Sequence, residues 1–256
     1  MTAILGCVAD DLTGATDLAL VLSQNGMRTV LVLGTPVPQM PAPDADAVVV
    51  ALKTRTMNPD KAVRLSLEAL DWLQRAGVQR HFFKYCSTFD STEHGNIGPV
   101  AEALADRLSP DFTVFCPAFP ANGRTVYQGH LFVDGRLLSE SSLAAHPLTP
   151  MTDPDLVRVL QKQCASSRVG LLPLETVEQG TAALLDAMER LVRQGVRFGI
   201  VDALNDDHLA TIADACASQP LLTGGSAVTS GLPDVYRSAG RLPAQPPAGR
   251  LDQFDG

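Results

Sequence analysis

The sequence predicts an α/β protein built on an open, mostly parallel, Rossmann-like sheet flanked by helices, with an inserted β-hairpin. Three observations predict it. Continuous apolar runs such as "TVLVL" (29–33) and "AVVVALK" (47–53) read as parallel strands buried on both faces. Such runs alternate with segments of helical periodicity, the pattern of a parallel sheet covered by helices. Finally, polar loops follow the strands, at the edge where open α/β sheets bind ligands.

The elements follow in order. "AILGCVA" (3–9) is a buried strand. "GATDLALVLSQNG" is a helix with Ala15, Leu18, Ala19 and Leu22 on one face, stopped near Gly26. After the strand at 29–33, "GTPVPQMPAPDADA" is a Pro-rich connection to the strand at 47–53. "NPDKAVRLSLEALDWLQRAG" is a helix and "VQRHFFKYC" the next strand. A polar loop, "KYCSTFDSTEHGNIGP", then opens a helix near Pro99, whose face carries Ile97, Val100, Leu104 and Leu108.

"FTVFCPAFP" is a further strand. In "TVYQGHLFVDGRLL" the Asp134-Gly135 pair marks a hairpin turn. "SSLAAHPLTPMT" is irregular. A helix after Asp153-Pro154, the strand "VGLLPL", a helix ending near Gly195, "FGIVDA" and a helix over 206–217 resume the alternation. "LLTGGSAVTSGLP" is a last strand with a small-residue turn, and "GRLPAQPPAGRLDQFDG" reads as a linker. No repeat is present. The expected division is an α/β domain over 1–240 and a linker over 241–256.

Composition bounds the function. The chain has 256 residues, 45% hydrophobic and 19% charged, as in an ordinary globular protein. A net charge of −8 without a basic stripe argues against nucleic acid as a partner. No apolar run approaches the ~20 residues of a membrane span. The N-terminal stretch lacks a basic region, so no signal peptide and a cytoplasmic location are expected. Five scattered cysteines without a CxxC pair fit reduced thiols, and no metal site is expected.

Chemistry concentrates in two stretches. In "VADDLTGATD" (8–17), Asp10 and Asp11 stand at a strand's end and Thr13-Gly14 opens a helix. Thr13 suits a helix cap, and free N–H groups there suit an anion. Paired carboxylates would repel that anion, so at least one has another task, such as accepting a hydroxyl proton. Capping and solvation of the helix start is the plainer alternative.

In the polar loop, Lys84 stands at the strand edge, followed by Asp90, Ser91, Thr92 and Asn96. Hydroxyls and an amide suit a polyhydroxylated substrate, and a lysine suits its carboxylate or phosphate. A turn that caps the following helix is the alternative. Lys53 and Arg55 end another strand, so Asp10, Arg55 and Lys84 share one rim. The spacing of Cys86 and His94 has no catalytic specificity, and Arg124, His130 and His146 read as structural or surface residues. "TGGSAVTSG" suits a phosphate cradle but lacks P-loop spacing, and no GxGxxG occurs.

Five segments, "ADDLTGATD", "KYCSTFDSTEHGNIGPV", "GRTVYQGHLFV", "HPLTPMTD" and "TGGSAVTSGLP", carry a resemblance over about residues 3–240. In order and wording they resemble the four-carbon acid sugar kinase family, in its 3-oxo-tetronate 4-kinase branch. The resemblance implies ATP-dependent phosphorylation of the terminal (4-) hydroxyl of a four-carbon sugar acid. It places the sugar acid on this domain, and ATP with Mg mainly on a C-terminal domain that lies beyond this chain.

Carried over residue by residue, Asp10, Asp11, Thr13 and Gly14 match the first motif. Arg55 matches the basic position after the third strand, and Lys84, Asp90, Ser91, Thr92 and Asn96 match the central motif. Lys84 and Arg55 are assigned to the substrate carboxylate and Ser91 and Thr92 to its hydroxyls; Asp11 or Asp10 is the base. Two departures stand out: Thr92-Glu93-His94-Gly95 replaces the usual Pro-Glu before glycine, and Ala227 replaces a usual glycine. The expected partners are the sugar acid and a C-terminal kinase domain or a second copy.

A non-catalytic sugar-acid-binding module is the alternative. The missing GxGxxG counts against a dinucleotide-dependent oxidoreductase, and nothing in the residues supports a secreted effector. The chain alone is expected to bind sugar acid with little or no turnover.

Overall fold

A computed structural model describes residues 3–244. In chain order the elements are β1 (Leu5–Ala9), α1 (Leu12–Gln24), β2 (Thr29–Leu33), β3 (Ala47–Ala51), α2 (Pro59–Arg75), β4 (Arg80–Lys84), α3 (Ile97–Leu108) and β5 (Thr113–Cys116). There follow β6 (Arg124–Tyr127), β7 (His130–Val133), β8 (Arg136–Leu137), α4 (Leu156–Gln163), β9 (Val169–Leu172), α5 (Leu174–Glu178), α6 (Thr181–Arg193), β10 (Phe198–Val201), α7 (Asp206–Cys216), β11 (Leu221–Gly224) and α8 (Leu232–Ser238).

Eight strands form one parallel sheet in the order β2-β3-β1-β4-β11-β5-β10-β9, and β6-β7-β8 form a small antiparallel sheet. The large sheet is parallel because nearly every strand hands over to a helix, which returns the chain to the opposite edge before the next strand. The chain leaves β1 toward β2 and β3 on one side and resumes at β4 on the other. The strand order therefore switches direction between β1 and β4, the position at which open α/β sheets bind ligands. Apolar helix faces cover both sides of the sheet, with the rings of Phe83, Tyr85, Phe89, Phe115 and Phe198 in edge, tilted or stacked contact at its centre.

Four expectations need correction. β2 is an edge strand, so "TVLVL" is only half-buried and Leu33 is exposed, although its run of apolar residues matches that of its fully buried neighbour β3. α1 starts at Leu12, and its cap is Asp11, whose carboxylate accepts from the Gly14 amide at 2.8 Å; Thr13 lies exposed in the first turn. The inserted hairpin is a three-stranded meander, because Gln128-Gly129 makes a second turn with both residues at positive φ. The "irregular" stretch 141–152 contains one short 3₁₀ turn, Ser142–Ala145. The Asp134-Gly135 turn stands as expected. No helix among the described residues is long and apolar enough to cross a membrane. The linker expected over 241–256 lies outside the described residues from 245 onward.

Candidate functional site

Asp10 is where three strands meet. Its amide donates to the Lys84 carbonyl at 3.0 Å, and its own carbonyl accepts from the amides of Thr54 and Arg55 at 2.8 and 3.1 Å. The backbone ladder of β1 thus runs one residue past the strand and fixes the loop after β3 against it. The same residue is buried, at 2% exposure, and its carboxylate accepts from Arg55 Nε at 2.9 Å and Nη2 at 2.7 Å.

Arg55 also reaches Asp11 Oδ1, with Nη2 at 2.7 Å, and Asp90 Oδ2, with Nη1 at 3.7 Å. One guanidinium therefore joins three carboxylates from two loops. Burial alone would lower its pKa, but the hydrogen bonds and charge of Asp10 lift it above the usual guanidinium range. Burial pushes the Asp10 carboxyl up, against the pull of Arg55 and of the Lys84 charge. Arg55 Nε and Nη2 are thus engaged by Asp10 and Asp11, whereas Nη1 has only the 3.7 Å approach of Asp90.

Lys84 is buried at the end of β4, and its ammonium donates to the Tyr85 carbonyl at 2.7 Å. Burial lowers its pKa, and the Asp10 charge opposes that shift. Gly14 sits between these groups. A Cβ there would stand 2.6 Å from Asp11 Oδ1, 3.0 Å from Lys84 Nζ and 3.5 Å from Arg55 Nη2. Glycine is required at this point of close approach, although an interior helical position ordinarily disfavours it.

The loop 85–96 is held by contacts invisible at short range. Asp90 Oδ1 accepts from Thr88 Oγ1 at 2.5 Å, and Thr88 Oγ1 meets Cys86 Sγ at 2.9 Å. Phe89 adopts φ of 52°, a left-handed conformation held by burial of its ring against Tyr85. Gln163 of α4 donates to Ser91 Oγ at 2.8 Å and to the Thr92 carbonyl at 2.5 Å, while its own carbonyl accepts from Gly98 N at 2.8 Å. Asn96 donates its amide to the carbonyls of Thr54, Arg55 and Met57 at 2.7, 3.3 and 3.1 Å. Asn96 therefore clamps the loop that carries Arg55, and Ser91 is engaged by Gln163. Asn96 Nδ2 and Ser91 Oγ thus hold the scaffold.

Beside this loop opens a cavity of about 430 Å³ lined by Ser91, Thr92, His94, Thr152, Asp153 and Lys162, among others. It shares Ser91 and Thr92 with the rim but none of Asp10, Asp11, Arg55 or Lys84. The converging charges and the cavity are therefore neighbouring but separate features.

A family profile described as a sugar-binding N-terminal domain matches residues 5–232. The chain belongs to that sugar-binding domain family. The sugar-binding domain is 53% identical over 253 residues to a 3-oxo-tetronate kinase of Burkholderia multivorans, covering 99% of this chain and 59% of the relative. It is 56% identical over 240 residues to a 3-oxo-tetronate kinase of Pseudomonas fluorescens, covering 93% and 56%. The chain thus spans somewhat over half the length of these curated relatives. A crystal structure from Salmonella typhimurium LT2 superposes with a TM-score of 0.90 at 46% identity, covering 93% of this chain and 57% of that one. A Bordetella bronchiseptica structure, a domain-swapped dimer with bound citrate, gives 0.76 at 28% identity, covering 92% and 57%.

In the "TGGS" turn both glycines approach backbone closely. A Cβ on Gly224 would lie 2.3 Å from the Cys116 carbonyl oxygen, and one on Gly225 2.8 Å from that of Pro117. These glycines serve close packing on the end of β5 and leave no cradle on that side. Ser226 instead hydrogen-bonds the carboxylate of Asp17, one turn into α1. No group of three or more His, Cys, Asp or Glu residues able to hold a metal occurs among the described residues.

Sequence reasoning missed Asp17 and Gln163 as members of this constellation. Asp17 lay inside a quoted motif without a role, and its partner is 209 positions away. Gln163, in a helix of ordinary amphipathic pattern, carried no signal at all. Of the remaining candidates, Lys53, Thr13 and His94 are exposed, and His146 accepts from the Thr149 amide at 3.1 Å.

Proposed function

We propose that this domain binds a short hydroxylated sugar acid, such as 3-oxo-tetronate, at the ends of β1 and β4. There it presents the terminal 4-hydroxyl for ATP-dependent phosphorylation. One observation carries the assignment of roles: Asp10 engages both carboxylate oxygens on Arg55, whereas Asp11 uses only Oδ1, leaving Oδ2 without a protein partner. Asp11 is also the more accessible, with 26% of its side chain exposed against 3% for Asp10. Asp11 Oδ2 takes the hydroxyl proton as the oxygen attacks phosphorus. Asp10 is the anchor that orients Arg55, and Arg55 in turn orients Asp11.

Lys84 supplies the positive charge for the substrate carboxylate, since its ammonium has one protein acceptor and sits beside Gly14. Burial strengthens that attraction by excluding water. ATP with Mg, which the names of the relatives imply, supplies the phosphoryl group. The described residues do not fit a site for it, so the nucleotide is assigned to a region that the longer relatives possess. A second copy of the chain is a further partner, in line with the domain-swapped Bordetella relative. The reaction is placed in the cytoplasm.

A non-catalytic binding module is the second reading. Titration calorimetry of this chain with 3-oxo-tetronate, followed by Mg-ATP, tests both. Sugar-acid binding without ATP binding is expected, and failure to bind the acid overturns the assignment. Turnover by the purified 256-residue chain alone would remove the need for any further region.

A further inference from the structure

The strands that end at Asp10 and Lys84 begin at a second polar pocket, on the opposite edge of the sheet. It has a volume of about 390 Å³ and is lined by Ala3, Ile4, Gly77, Gln79, Arg80 and Arg241. β1 and β4 each have five residues, so the pocket stands roughly 16 Å from the rim at ~3.3 Å per residue.

The lining contains two guanidinium groups and no carboxylate, in a chain of net charge −8. Neither arginine forms an ion pair among the described residues, whereas Arg55 at the rim meets three carboxylates. Arg80 Nη1 makes only a long 3.4 Å contact to the carbonyl of Gln79, and its Nε is buried with no hydrogen-bond partner. A buried donor on a charged group left unpaired is costly, and a missing acceptor is the simplest reason for it. Arg241 is placed by its backbone amide, which donates to the Tyr236 carbonyl at 2.8 Å. Both arginines line the same pocket, and the charge of each opposes the larger upward push of burial on the Tyr236 phenol.

We infer that this pocket binds a tetrahedral oxyanion of the phosphate class between Arg80 and Arg241. Two forked guanidiniums match such an ion, which offers acceptors in two planes at once, better than they match a single flat carboxylate. Arg241 lies just past α8, on the segment by which the chain leaves the sheet. A bound oxyanion would therefore tie that segment to the start of β4. The competing role for the arginines is to balance the negative carbonyl end of α2, which finishes at Arg75 beside Gly77.

The test is titration of the 256-residue chain with inorganic phosphate, and separately with glycerol 3-phosphate, at constant ionic strength set with chloride. Calorimetry and thermal unfolding are read together. One saturable site is expected, with a Tm rise of about 3 °C at tenfold excess over Kd. Arg241→Gln, at an exposed position, and Arg80→Gln should each weaken it at least tenfold, whereas Lys84→Gln at the rim should leave it intact. Tighter binding of glycerol 3-phosphate would assign a phosphorylated metabolite, and equal binding the free ion. No saturable binding, or binding lost in Lys84→Gln but kept in the arginine variants, overturns the inference and leaves the arginines to α2. The result is independent of the sugar-acid reading, since it does not involve the rim.

Discussion

Arg55 grips Asp10 through two hydrogen bonds, of 2.9 and 2.7 Å, and so ties the loop after β3 to the end of β1. The pair spans 45 residues and sits beneath the two carboxylates, Asp11 and Asp90, that Arg55 also touches. It is the keystone of the rim, and removing it has a predictable consequence.

Arg55→Ala leaves a buried Asp10 carboxylate without its partner. Stability should fall by about 3 kcal/mol, the lower end for breaking a buried pair, because Arg55 keeps 20% of its side chain exposed. Arg55→Lys should recover little, since an ammonium cannot make the two-pronged contact. Urea denaturation decides it: a loss under 1 kcal/mol for Arg55→Ala would show the pair to be energetically idle.

Asp11→Asn removes the proposed proton acceptor but retains the shape of the helix cap. Binding of 3-oxo-tetronate should stay within about threefold. Phosphoryl transfer should drop by roughly 10²–10⁴-fold when the chain is completed with the region its longer relatives carry. Full activity in that variant would move the base to another group.

Gly14→Ala should raise helix propensity, by up to about 1 kcal/mol in an open helix. Here the added methyl meets Asp11 Oδ1 at 2.6 Å and Lys84 Nζ at 3.0 Å. Affinity for the sugar acid is expected to fall at least tenfold, or about 1.4 kcal/mol. Calorimetry showing unchanged affinity would mean that Lys84 does not contact substrate.

His81 provides a pH prediction away from the rim. It is buried on β4 with both ring nitrogens unpartnered, and burial lowers its pKa from 6.5 to about 4. The unfolded chain therefore binds the proton more readily. Stability should be full above pH 6.5 and decline as pH falls toward 4, by up to roughly 3 kcal/mol over that window. His81→Leu should flatten this slope without loss at neutral pH. A slope that persists in the variant would assign it to other groups.

Much of this was legible beforehand for identifiable reasons. The strands and helices announced themselves through local periodicity, and the Asp134-Gly135 turn through a residue pair that favours positive φ. Asp10, Asp11, Arg55 and Lys84 could be placed on one rim because parallel strands all finish at the same edge. The cap was misjudged because Asp11 and Thr13 are both good capping residues, and only backbone conformation separates them. β2 was misjudged because an apolar run looks alike at a sheet's edge and at its centre.

The sequence by itself determined the α/β class, the order of the elements, the rim and the family resemblance, since these depend on short-range patterns and on linked motifs. Only the tertiary structure decided which polar groups face one another. It placed Asn96 on the β3–α2 loop, Gln163 on Ser91 and Ser226 on Asp17, and left Asp11 Oδ2 without a partner. Those choices depend on strand order and helix packing across 39 to 209 residues of chain, where a side chain's chemistry is compatible with many partners and the fold selects one.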